Sequence, residues 1–139
     1  GETTYDLAER CKGCVALVIE SNHAVELLRL GPYASSVKER IAGPDGHLSN
    51  EALAVFIARH MDASVRCVVL AHLSRVNNTP EIAETNCREA LVHRGLAGVR
   101  IVVTRQDRLS ETIDLAALSV QPVSPRYAVA PMQHGLPFA

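Results

Sequence analysis

A chain of 139 residues holds one domain with its own core and is short for two. Hydrophobic residues make up 47 % and charged residues 21 %, with a formal net charge of −1. That balance excludes a disordered, charge-rich segment and a general field that gathers polyanions, so any nucleic-acid contact must be made locally. No run approaches the roughly 18 to 20 apolar residues that a membrane span requires, and no charged-then-apolar leader is present. The expected location is the cytoplasm, with no membrane partner.

The pattern alternates helix and strand. Tyr5–Lys12 has a short helical period, broken by Gly13, and Cys14–Ile19 reads as the first strand. Ala24–Leu30 is helical and stops at Gly31-Pro32, where proline cannot continue it. Ser35–Ala42 is a second short helix, ended by the turn chemistry of Gly43-Pro44-Asp45-Gly46. Ser49 caps a long helix whose apolar face carries Leu53, Val55, Phe56 and Ile57. Arg66–Ala71 is almost wholly apolar, the mark of a strand buried on both faces. After the loop Ser74–Thr79, Thr79-Pro80 starts a helix that runs to about Arg94 and ends at Gly95. Val99–Thr104 is a third strand, and Ile113–Val120 is a candidate fourth. From Gln121 onward lie four of the seven prolines, so residues 121–139 read as a mobile or extended arm. Strands alternating with helices predict an α/β layered sheet, and right-handed crossovers put the strand ends, with His23 and His72, on one edge.

No glycine-rich phosphate loop, GxSxG elbow or basic helix is present, so the chemistry falls to the histidines. Cys11-Lys12-Gly13-Cys14 lacks a second ligand pair, since Cys67 and Cys87 stand alone, and the cysteines are expected as reduced, packed thiols. His60 and His93 lie within helices among charged residues and His134 lies in the tail; all three are expected to be solvated. His47 sits between a glycine turn and a helix start, a position suited to proton transfer. His72 is the best ligand candidate, because a buried strand delivers it, with the loop Ser74-Arg75-Val76-Asn77-Asn78 close by to hydrogen-bond around it.

Several segments taken together carry a resemblance: Glu20-Ser21-Asn22-His23, Leu30-Gly31-Pro32-Tyr33, Lys38-Glu39-Arg40-Ile41, Gly46-His47-Leu48-Ser49-Asn50, His72-Leu73-Ser74, and Asn77-Asn78 with Pro80-Glu81. Over about Gly1 to Gly95 they resemble the second half of the metallo-β-lactamase fold. The nearest group is the bacterial metallohydrolases associated with cell-wall regulation and DNA repair; tRNA 3′-end-processing endonucleases and phosphonate-pathway phosphodiesterases are more distant. The resemblance implies an αββα sandwich with two divalent metals, zinc or manganese, between its halves. It matches His72 to the last metal-binding histidine, and His47 to the histidine that gives a proton to the leaving group in phosphodiesterase relatives. Gly1-Glu2 match the residues just after the aspartate that bridges the metals. Where the family usually continues Glu-Ser-Asn-His with aspartate, this chain has Ala24, and the HxHxDH signature of the family's N-terminal half has no counterpart here.

The expectation is therefore a metal-dependent phosphodiester hydrolase, nuclease-like, active when the N-terminal half is present. Residues 1–120 would be the C-terminal half of that domain and 121–139 a proline-rich tail. One ligand histidine predicts no stoichiometric metal in the isolated chain. His23 and Asn22 are expected behind the ligands or as structural residues. Ser74, Asn77 and Asn78 either shape the rim of the site or cap the following helix. The expected partners are the missing half or a second copy of this chain, and a nucleic acid or other phosphodiester. The alternatives are a non-catalytic assembly or binding half-domain and esterase or thioesterase chemistry on the same fold.

Overall fold

The computed structural model describes residues 1–120. The proline-rich arm, with His134, lies outside them. Nine elements follow in chain order: α1 (Tyr5–Arg10), β1 (Ala16–Glu20), α2 (Val25–Leu30), α3 (Ser35–Ala42), α4 (Asn50–His60), β2 (Cys67–Ala71), α5 (Pro80–His93), β3 (Arg100–Val103) and α6 (Leu115–Ser119). The strands form one parallel sheet in the order β1-β2-β3, which fits the α/β expectation. Parallel pairing forces a crossover between successive strands. Here α2, α3 and α4 connect β1 to β2, and α5 connects β2 to β3.

Register fixes which residues share a face. Ala16 pairs with Cys67 and Glu20 with Ala71 along β1 and β2, while Cys67 pairs with Arg100 and Leu70 with Val103 along β2 and β3. Leu17, Ile19, Val68 and Leu70 therefore point to one side. They meet Leu53, Phe56 and Ile57 of α4 and Ala83, Cys87, Ala90 and Leu91 of α5. The helix starts follow their caps: Ser49 Oγ accepts from Ala52 N–H at 3.0 Å, and Thr79 Oγ1 accepts from Ile82 N–H at 3.2 Å. Phe56 is 1 % exposed at the centre of this layer. Phe56→Ala is expected to lower unfolding stability by about 3 to 5 kcal/mol, read as a lower urea midpoint with an unchanged slope.

Among the described residues, the opposite face is thinly covered. Cys67, Val69 and Val102 pack with Leu118 of α6, while Val18 in the same face is 70 % exposed. The segment predicted as a fourth strand, Ile113–Val120, is thus a helix. Asp114 supplies the reason: its carboxylate accepts from Ala117 N–H at 3.0 Å and caps Leu-Ala-Ala-Leu, a run of strong helix formers. The first strand also differs, beginning at Ala16 rather than Cys14 and continuing one residue further to Glu20. Among the described residues, no helix is long and apolar enough to cross a membrane.

Candidate metal centre

β1 and β2 end side by side, with Glu20 opposite Ala71, so the next residue of β2, His72, leaves the sheet beside the Glu20 carboxylate. His47 reaches the same point from the turn after α3. At Gly46 an added Cβ would collide with the carbonyl oxygens of Arg40 and Ile41, so only glycine lets the chain pass this closely. His47 N–H then donates to Ile41 O at 2.8 Å, which fixes the segment.

Three side chains converge. Glu20 Oε1 lies 2.8 Å from His47 Nδ1 and 2.6 Å from His72 Nδ1, and Glu20 Oε2 accepts from Leu48 N–H at 2.9 Å. The two imidazoles meet edge to face, with centroids 5.1 Å apart and planes at 68°. An ionised carboxylate only accepts, so both Nδ1 atoms carry hydrogen and the lone pair of each neutral ring sits on Nε2. Burial alone would push the Glu20 carboxyl up. The Leu48 N–H and the two imidazoles outweigh it and hold the group below the usual carboxylate range. Glu20 is therefore charged at neutral pH.

One ligand atom from each of Glu20, His47 and His72 lies within 4.8 Å of the others, so the three could hold a metal ion. Two imidazole nitrogens and a carboxylate oxygen are donors that suit zinc, and manganese accepts them too. While Glu20 holds both Nδ1 hydrogens those atoms cannot ligate, and the alternative arrangement makes Glu20 an anchor and not a ligand. A carboxylate on Nδ1 is the usual anchor of a histidine that ligates through Nε2.

The other predicted positions separate from this cluster. His23 is 1 % exposed and is not one of the three, its carbonyl accepting from Asn50 N–H at 2.9 Å. Its ring Nδ1 has no partner among the described residues. Asn22 donates from Nδ2 to the His72 carbonyl at 2.7 Å. Ser74 Oγ accepts from Asn77 N–H at 3.1 Å within its loop. Asn77 is buried, and its carbonyl accepts from Ala24 N–H at 2.9 Å. Asn78 is buried too, donating to the carbonyls of Ser21 at 2.9 Å and Asn22 at 3.0 Å while its Oδ1 accepts from Thr79 N–H at 2.9 Å. Asn50, not anticipated from sequence, joins it: Ser21 Oγ donates to Asn50 Oδ1 at 2.7 Å, and Asn50 Nδ2 donates to Asn78 Oδ1 at 3.0 Å. Its signal was a second polar residue directly after a serine cap. His60 and His93 are exposed at the ends of α4 and α5. Burial raises the thiols of Cys11 and Cys67 and pushes Cys87 up to about 12, so these three stay protonated.

Burial lowers the His23 pKa from the ordinary histidine value, with Glu51 opposing only in part. The unfolded chain therefore binds a proton at a higher pH than the folded one, and stability falls as pH drops below about 6.5. The slope for one such proton is at most about 1.4 kcal/mol per pH unit. Thermal unfolding of the wild type between pH 7 and pH 5 should show this loss, and His23→Gln should flatten it.

An α/β chain with a carboxylate and two imidazoles gathered at the C-terminal edge of a parallel sheet is thus the class that fold and site define. The chain is 42 % identical over 84 residues to "Exodeoxyribonuclease YycJ" of Bacillus anthracis, covering 60 % of this chain and 32 % of the relative. It is 46 % identical over 86 residues to "Exodeoxyribonuclease WalJ" of Streptococcus pneumoniae serotype 2 strain D39, covering 59 % of this chain and 32 % of the relative. The protein of the same name in strain R6 gives the same figures. The chain spans about a third of the length of these curated relatives. No family model matches it, and no solved structure does.

Proposed function

We propose that this chain is the C-terminal half of a metallo-β-lactamase-fold, metal-dependent hydrolase of phosphodiester bonds, with DNA as its substrate. The observation that carries the reading is the shared carboxylate: Glu20 Oε1 holds both His47 Nδ1 and His72 Nδ1. The similarity to proteins named exodeoxyribonucleases supports DNA as the substrate class.

In this reading His72, anchored through Nδ1, would offer Nε2 to a divalent ion, and the remaining ligands would come from chain beyond this third of the relatives' length. When bound, divalent ions would supply an activated water and counter-charge for the phosphate oxygens. His47 would carry the proton. Its Nδ1–H rests on Glu20, and Nε2–H of the protonated ring would protonate the departing oxygen of the phosphodiester. Glu20 thereby orients both rings and fixes their tautomers. Asn77 and Asn78 would support the loop that follows His72, and Ser74 would lie at its rim.

The test is hydrolysis by a longer protein that contains this chain. A labelled single-stranded oligonucleotide should be cut with zinc or manganese and left intact after chelation, and elemental analysis should find about two ions per molecule. Cleavage that survives chelation would sink the metal-dependent reading. A second reading, assembly without catalysis, draws on exposed Val18 and on the outer edges of β1 and β3, which have no strand partner among the described residues. Sedimentation at several concentrations separates the two: dilute monomer with full cleavage excludes it.

A further inference from the structure

Side chains alternate across a strand, and Leu70 of β2 points into the core between sheet and helices. With extended backbone, His72 would fall on that same side. It does not: its side chain is 64 % exposed and its Nδ1 meets Glu20, which lies on the opposite face beside Ala71. The reversal comes from the backbone. His72 has φ +61°, and among the described residues it is the one non-glycine with positive φ. Left-handed backbone is uncommon for any residue with a Cβ, histidine included, so the surrounding structure must favour it.

The holder is Asn22. Its Nδ2 donates to the His72 carbonyl at 2.7 Å, just past the point where the sheet's ladder ends with Ser21 N–H on Ala71 O at 3.0 Å. Asn22 is itself tied on each side. Its N–H donates to Leu48 O at 2.9 Å, and its carbonyl accepts from Ser74 N–H at 2.8 Å. Leu48 in turn donates to Glu20, and Leu48 follows His47 directly. One residue, 8 % exposed, thus touches the segments that carry Glu20, His47 and His72.

We propose that Asn22 is a positioning residue: its amide locks the left-handed backbone of His72 and so turns that imidazole away from the core and onto the carboxylate it shares with His47. The consequence for catalysis rests on the hydrolase reading above, whereas the consequence for geometry does not. Asn22→Asp keeps the shape, removes the donor and sets an anionic oxygen against the His72 carbonyl. The backbone bonds of residue 22 survive in it.

NMR of this chain without added metal reads the geometry. In the wild type, a strong intraresidue HN–Hα Overhauser effect with an intermediate three-bond HN–Hα coupling should report positive φ at His72, and ring protons of His47 and His72 should show a mutual Overhauser effect. In Asn22→Asp the coupling should move to the extended value and the ring-to-ring effect should be lost, with amide shifts of Phe56 and Leu70 unmoved. An unchanged coupling and an intact ring contact in that variant would overturn the proposal. Should the variant not fold, the wild type still decides. Slow exchange and a through-bond coupling from the Asn22 side-chain nitrogen to the His72 carbonyl support the lock, and their absence overturns it. In the longer protein, Asn22→Asp should lower kcat by roughly 10- to 100-fold with KM held. A lost lock with unchanged kcat would contradict the hydrolase reading and leave the geometry standing.

Discussion

Alanine at position 47 is expected to slow DNA hydrolysis by the longer protein roughly 10²- to 10⁴-fold while its metal content stays the same, the size of a general-acid contribution. Alanine at position 72 should remove metal and activity together. The two rings share one anchor, and the contrast follows if His72 Nε2 ligates while His47 Nε2 carries the proton, as proposed above. Single-turnover cleavage beside elemental analysis of the same preparations makes the comparison. If His47→Ala strips the metal, the ring is a ligand and the division of roles proposed here is wrong.

Glu20→Gln carries the next largest effect. The amide keeps the volume but offers one accepting oxygen where the carboxylate receives three donors, His47 Nδ1, His72 Nδ1 and Leu48 N–H. Loss of such an orienting group costs roughly 10- to 100-fold in metal affinity or activity. A stability signature accompanies it. Because the folded carboxyl sits below its ordinary range, its contribution is present at neutral pH and is lost as pH falls through the folded value. The stability gap between wild type and Glu20→Gln, measured by urea unfolding, should therefore be full at pH 7 and close on strong acidification. A gap that widens in acid would mean the group is protonated in the native state.

The sheet and its helices were readable because their signals are local: the apolar run before His72, the serine cap at Ser49, and Thr79-Pro80 at the head of α5. Ile113–Val120 misled because a run of apolar residues does not distinguish strand from helix, and the capping carboxylate of Asp114 decided it. Glu20 was visible as the acidic end of an apolar strand, yet its partnership with His72 depends on a register across 52 residues of sequence. His23 and His72 both lie near strand ends, so one edge was a fair expectation for both. Backbone geometry separates them. His23 turns inward beside Ser49, with which it forms a bridge, while the left-handed residue at 72 turns outward. No periodicity announces a positive φ at a histidine.

The asparagine and serine network beneath the cluster has a consequence for how the molecule forms. Ser21 and Asn50 are 29 residues apart, and Asn78 and Ser21 are 57 apart. Each such bond closes a long loop before it returns any stabilisation, and parallel strands add closures of similar length. The network is therefore incomplete in any nascent chain that stops short of Asn78. Once formed, it should resist piecemeal opening. The amide hydrogens of Ser21, Asn22, Asn50 and Ser74 are expected to exchange with solvent deuterium with one common opening free energy, that of unfolding the whole domain.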